Sequence, residues 1–273
     1  MQKPATKRLI FCTYSSLYSS LVLKKLLASE HIEIVAIVNS TRVISSKYGF
    51  IQGAVSQIQL SGWRYASYLF MVTDLFSWLR PSKTVHGLAK KNEIPIIDTA
   101  DINSTEALNF IQTKKPDFLL AAHFNQLIKT PLLNLACLNI HPSLLPAYKG
   151  VDPVFYALLD KNNTIGVTLH KMAKSFDTGQ TVLQSECQAK PTDSVFRCNC
   201  RLFDEGVKLA INYLSSDSLI RTNKSSQATA VENDYTNDQS YDSWPSREKL
   251  SKFRQQGHSL ICLKQYQKAI LNV

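Results

Sequence analysis

A chain of 273 residues with 44% hydrophobic and 19% charged residues can bury one sizeable core, which excludes a disordered, collagen-like or small disulfide-framed protein. The formal net charge of +10 suits an anionic ligand, but lysine and arginine are scattered along the chain, which excludes a basic nucleic-acid tail. Six cysteines without a CxxC pair predict reduced thiols and no metal site.

The N-terminal stretch has too short an apolar run for a secretory signal, which predicts a cytoplasmic protein. Arg8 to Tyr14 is apolar and β-prone, and leucines at helical spacing follow the Ser15-Ser16 turn, so a strand leads into a helix. Ile32 to Val38 is a continuous apolar run, as in strands buried on both faces of a parallel sheet. Residues 44–82 are expected to form an aromatic-rich helical insertion. Within it, Leu60 to Leu79 approaches membrane-spanning length, but Arg64 and Asp74 predict a buried or interfacial helix with its aromatic side chains packed on a core, without stable membrane insertion.

Further along, the pattern predicts a helix over Thr84 to Asn92, a strand over Ile94 to Ile97, a helix over Ser104 to Thr113 capped by Ser104, and a strand at FLLAAH, Phe118 to His123. A short strand over Leu138 to His141 follows, then paired strands over Gly166 to Lys171 and Thr181 to Glu186, and a long helix over Phe196 to Tyr213. Such alternation predicts an α/β fold with a doubly wound, mostly parallel sheet, whose ligands sit at the carboxyl ends of the strands. Ser215 to Asp242 is polar and reads as a connection, and Arg247 to Ile270 predicts a terminal helix. The expected division is a main domain over 1–215 and, over 216–273, a polar linker with a short C-terminal extension.

Chemistry concentrates in Leu138 to Gly150, LNIHPSLLPAYKG, and in Lys174 to Gly179, KSFDTG. Asn139 and His141 stand two apart, so on a strand both side chains point to one face. Asn139 supplies an amide donor and His141 an imidazole, and Asp177 is the carboxylate that would orient the ring. Pro142, Leu144-Leu145 and Pro146 impose a rigid turn after the strand. His123 and His170 flank the motif strands and carry no assigned role. Tyr241 to Arg247, YDSWPSR, reads as an ordered turn pinned by Trp244 or as a wall of the site.

This ordered set, Asn-x-His, SLLP, a closing glycine and a downstream Asp-x-Gly, resembles the folate-dependent formyltransferases, a family that includes glycinamide ribonucleotide, methionyl-tRNA and sugar-amine formyltransferases. The resemblance covers roughly residues 8 to 215. It implies a Rossmann-like formyltransferase domain with Asn139, His141 and Asp177 as the catalytic set, and 10-formyltetrahydrofolate as co-substrate, without a metal. It also implies folate contacts from Phe124, Asn125, Gln126, Leu127 and Ile128 and from Met172 and Phe176. Where the family often has a glycine-rich phosphate loop, Cys12 to Ser20 has no glycine, although Ser15 and Ser16 can donate at a helix N-terminus.

The expected activity is formyl transfer to the primary amine of a small-molecule acceptor such as an amino sugar. Methionyl-tRNA ranks second as acceptor, because the residues after Ser215 are too few for the C-terminal β-barrel that methionyl-tRNA formyltransferases add. Hydrolysis of formyltetrahydrofolate and a non-catalytic folate-binding role rank below it. A nicotinamide enzyme lacks support, because no GxGxxG follows the first strand.

Overall fold

The computed structural model describes residues 6–42, 50–216 and 241–273; the start of the expected insertion, 44–49, and most of the polar linker, 217–240, lie outside the described residues. Strands β1 (Lys7–Thr13), β2 (Ile32–Ser40), β3 (Ile96–Thr99), β4 (Phe118–Ala122) and β5 (Ala136–His141) are parallel. Strands β6 (Thr164–Lys171) and β7 (Thr181–Gln188) run antiparallel at one edge, which gives a seven-stranded sheet in the order β3-β2-β1-β4-β5-β6-β7. The doubly wound, mostly parallel sheet expected from the alternating elements is the one observed.

The apolar runs of β1, β2 and β4 reflect burial on both faces. Leu9 and Phe11 join one core layer with α1 (Leu17–Leu27) and α7 (Val195–Ser215), whereas Ile10 and Cys12 join a second layer with α5 (Thr105–Thr113). Strand order reverses between β1 and β4, so the ligand crevice of such a sheet opens beyond their carboxyl ends.

The aromatic segment is built from α2 (Phe50–Phe70), a π-turn over Met71–Leu75 and α3 (Phe76–Leu79), and α4 (Val85–Lys91) follows. Helix α2 is kinked at Gly62, whose φ of 79° and ψ of 165° leave the helical region. The expected packing holds for one face only: Tyr65, Tyr68 and Phe76 are buried, whereas Trp63 is 66% and Trp78 73% exposed. No helix among the described residues is long and apolar enough to cross a membrane.

Three differences from the sequence reading have local causes. Strand β3 begins at Ile96, two residues late, because Pro95 has no N–H for the ladder; its carbonyl accepts from the Ile37 amide at 2.9 Å instead. The terminal helix is two, α8 (Arg247–Gln255) and α9 (Leu263–Asn272), parted near Gly257, whose φ is +87°. A short helix, α6 (Pro153–Leu159), opens with proline in its first turn where the sequence reading assigned no element.

Residues 241–273 return to the body. Phe253 of α8 packs on Phe155 of α6 with ring centroids 4.7 Å apart, and Tyr266 of α9 meets Phe196 of α7 at 5.5 Å. Asp242 forms a parallel bridge with Gly150, and Arg247 donates to the Ile58 carbonyl, one turn before the kink in α2.

Candidate active site

Asn139 and His141 sit at the carboxyl end of β5 on one face, and the antiparallel register of β6 sets His170 opposite Asn139. The His170 Nδ1 lies 2.8 Å from the Lys171 carbonyl, which can only accept, so that nitrogen carries the proton. Its Nε2 then accepts from the Asn139 amide nitrogen at 3.0 Å. Burial, and next the neighbouring His141, push the His170 pKa below the ordinary histidine range and favour this neutral tautomer. The amide of Asn139 is thereby fixed in orientation, with one N–H bonded to His170. The role of His170 was invisible to sequence reasoning, because its partner lies on another strand and only the register brings them together.

Asp177 sits in the loop between β6 and β7 with a left-handed φ of 54°. One carboxylate oxygen is 3.4 Å from His141 Nδ1 and 3.8 Å from His170 Nε2, and the other accepts from the Gly150 amide at 3.0 Å. The second nitrogen of His141 faces the Tyr148 carbonyl at 3.1 Å, so His141 has an acceptor at both ends of its ring. Asn139, His141 and Asp177 therefore converge, and all three line one cavity of about 810 Å³.

The expected folate-contacting residues divide. Phe124, Asn125, Gln126, Leu127, Met172 and Phe176 line the cavity, whereas Ile128 does not. Its side chain is buried in the second core layer with Ile10, Ile102 and Leu119, which leaves only its backbone for a folate contact. The Gln126 side chain is fully engaged with Ile102, Ser40 and Thr99, so it braces the ends of β2 and β3. The backbone N–H groups of 124–127, all residues that line the cavity, have no acceptor among the described residues.

In the glycine-free first loop, the Ser16 hydroxyl caps α1 by accepting from the Ser19 amide and lies 3.1 Å from His123 Nδ1. His123 follows β4, and its ring also meets the Tyr14 carbonyl at 3.2 Å, so β1 and β4 are laced together at the switch point. Burial lowers the His123 pKa, so the folded chain holds this ring neutral. In the unfolded chain it titrates near the ordinary value of about 6.5. As pH falls through that value the unfolded state binds more protons, and stability is lost. Between about pH 7.5 and pH 5.5, a His123→Phe variant is expected to lose less stability than the wild type; equal losses in urea unfolding at the two values would contradict this reading.

Distant segments supply the rest of the cavity wall; Tyr14 and Tyr18 escaped the sequence reading, whereas the stretch with Tyr241 and Trp244 was read as an ordered turn or a wall of the site. Tyr14 and Tyr18 come from the first βα unit, Tyr65 and Tyr68 from α2, and Tyr241 and Trp244 from the returning C-terminal segment. Burial, and then Asp177, push the Tyr241 phenol up to about 12. Tyr241 packs near Phe176 at 6.0 Å, and Trp244 meets Tyr65 edge-on at 6.2 Å.

The profile of the family described as Formyl transferase matches residues 77–214, which include the three converging side chains. A methionyl-tRNA formyltransferase of Thermotoga maritima is 35% identical over 133 residues, 48% of this chain and 42% of that protein. A GDP-perosamine N-formyltransferase of Brucella melitensis is 37% identical over 101 residues, 36% of this chain and 39% of that one. The match thus spans less than half the length of either relative. In fold, the chain is similar to glycinamide ribonucleotide transformylase 1 from Symbiobacterium toebii, with a TM-score of 0.52 at 18% identity over 77% of this chain and 86% of that one. With half of its length matched by the family profile, site included, the chain belongs to the formyl transferase family.

Proposed function

We propose that the chain is an enzyme that transfers the formyl group of 10-formyltetrahydrofolate to the primary amine of a small-molecule acceptor, an amino sugar ranking first. The observation that carries this reading is the convergence of Asn139, His141 and Asp177 on one cavity in a member of this family. The donor, when bound, supplies the formyl carbon. The cavity suits it: Phe124, Leu127 and Met172 offer apolar surface for a fused ring, and the backbone N–H groups of 124–127 are open donors beside them.

In this mechanism, the second N–H of the Asn139 amide donates to the oxygen that gains charge as the amine attacks, and His141 joins it by turning its Nε2–H from the Tyr148 carbonyl to that oxygen. A preorganised donor of this kind contributes a factor of ~10²–10³ in rate. Asp177, held by the Gly150 amide, orients His141 and assists removal of the proton that the amine gives up, through a bound water. His170 acts as a positioning residue by fixing the Asn139 amide.

For the acceptor, support comes from the Brucella relative, named for GDP-perosamine, and from a cavity volume within the ~300–1,000 Å³ of small-molecule sites. The Thermotoga relative keeps charged tRNA as the second reading. Within the same proposal, residues 1–215 form the catalytic domain and 216–273 its extension. The protein works in the cytoplasm, which its six cysteines, all free thiols, support.

The test is an assay with 10-formyltetrahydrofolate against GDP-perosamine and initiator methionyl-tRNA, with formate followed in parallel. The expected result is an N-formylated amino sugar by mass spectrometry. Faster formylation of the tRNA would promote the second reading, and acceptor-independent formate release would identify a hydrolase.

A further inference from the structure

We propose that Asp152 and Tyr65 form a cation-recognition subsite in the wall of the cavity, which selects a protonated amine as ligand. That this ligand is the formyl acceptor rests on the reading above; the subsite itself does not. Asp152 occupies the N-cap position of α6 but makes no side-chain capping bond there. The Phe155 amide in the first turn still draws on the carboxylate and favours its charged form. The residue is held at a left-handed φ of 51°, and its carboxylate faces the cavity and accepts from the Tyr65 hydroxyl at 3.0 Å.

The surroundings of this carboxylate are neutral. Tyr65 and Tyr68 face it from α2, Tyr18 from α1, Tyr156 from α6 and Asn199 from α7; Tyr65, Asn199 and the Phe155 amide favour its charged form as neutral donors, and no cation stands against it among the described residues. Burial pushes its pKa up to about 6, so near neutral pH it is mostly ionised. A desolvated carboxylate without a counter-charge is costly, and such groups are normally paired. Here the open side is the ligand cavity, so a cationic ligand would complete the pair.

The rest of the cavity agrees in sign. Asp74 lines it as well, Asp177 is already engaged by His141 and the Gly150 amide, and the lining guanidinium of Arg42 is turned to the Ala100 carbonyl at 2.8 Å. Trp244, edge-on to the buried Tyr65 and lining the same cavity, adds an aromatic surface that suits a cation or the apolar face of a sugar ring. A primary amine is charged near neutral pH, so the subsite would gather acceptors in the form in which they occur in solution; the ammonium then gives one proton to water before its lone pair can attack.

The experiment is a calorimetric titration near pH 7 with D-glucosamine, N-acetyl-D-glucosamine and D-glucose as probes, without any folate. In the wild type, glucosamine is expected to bind at least ~10-fold more tightly than the two neutral sugars, and the preference should fade below about pH 6 as Asp152 takes up a proton. Asp152→Asn should abolish the preference while leaving tetrahydrofolate binding intact and the unfolding midpoint unchanged or raised, because the uncompensated charge is gone. An absent preference in the wild type, or one that survives in Asp152→Asn, overturns the proposal. A lowered midpoint together with lost tetrahydrofolate binding shows a structural role and also overturns it. Because no formyl donor is used, a failure of formyl transfer in the acceptor assay is read separately from a failure of the subsite.

Discussion

Alanine at Asn139, His141 or Asp177 is expected to lower kcat by a factor of ~10²–10⁴, with the folded state retained. The three side chains form one contiguous cluster. Asp177 bridges His141 and the Gly150 amide, and Asn139 is oriented through His170, whose Nε2 is 3.8 Å from the same carboxylate. Groups that act as a unit give non-additive losses, so His141→Ala combined with Asp177→Ala should be little worse than the more damaging single change. Independent factors that multiply would show that the groups act separately.

Asp177→Asn is the sharper variant, because it keeps the shape and removes the charge. A carboxylate accepts at both oxygens, but an amide has one acceptor and one donor. If its oxygen stays on the Gly150 amide, its nitrogen meets His141; if it flips, two donors meet at Gly150. Either arrangement disturbs the His141 ring, so kcat should fall by ~10²-fold or more with little change in KM for the donor. Steady-state kinetics, with far- and near-UV circular dichroism to show folding, measures this. Near-normal turnover in all of these variants would sink the mechanism.

Much of this centre was legible because its information is local. Asn139 and His141 share a face through the two-residue repeat of a strand, and the runs of β1, β2 and β4 announce buried strands without reference to the rest of the chain. What stayed hidden depends on pairings between distant segments. His170 acquires its role only through the β5–β6 register, and Tyr65 reaches Asp152 only because the chain between β2 and β3 folds back over the sheet. A stretch named for its backbone contacts says nothing of where each side chain points, so the burial of Ile128 in the second core layer was not legible. The division of the terminal helix was a local signal passed over, since Gly257 stands in the sequence for anyone tracing helix ends.

The tie between the C-terminal segment and the centre yields the second large expectation, at Gly150. Its φ is +111°, and a Cβ built there would lie 2.2 Å from the Asp242 carbonyl oxygen. Alanine must therefore expel the 241–244 segment, with its bridge to Asp242 and the Val151 amide bond at 2.8 Å. The strained conformation alone costs on the order of 1–3 kcal/mol. The same backbone amide holds Asp177, so the displacement reaches the carboxylate beside His141. Gly150→Ala should thus lower the unfolding midpoint and reduce kcat/KM for the acceptor by ~10²-fold or more, since a misplacement near 1 Å can cost that much. The segment that moves carries Tyr241 and Trp244, walls of the cavity, so exposure of Trp244 should appear as a red shift in tryptophan emission. An Asp242→Ala variant, which keeps the backbone bridge and removes only the side chain, should leave activity near that of the wild type. If it instead matched Gly150→Ala, the side chain of Asp242 and not the backbone contact would be what couples the C-terminal segment to the centre.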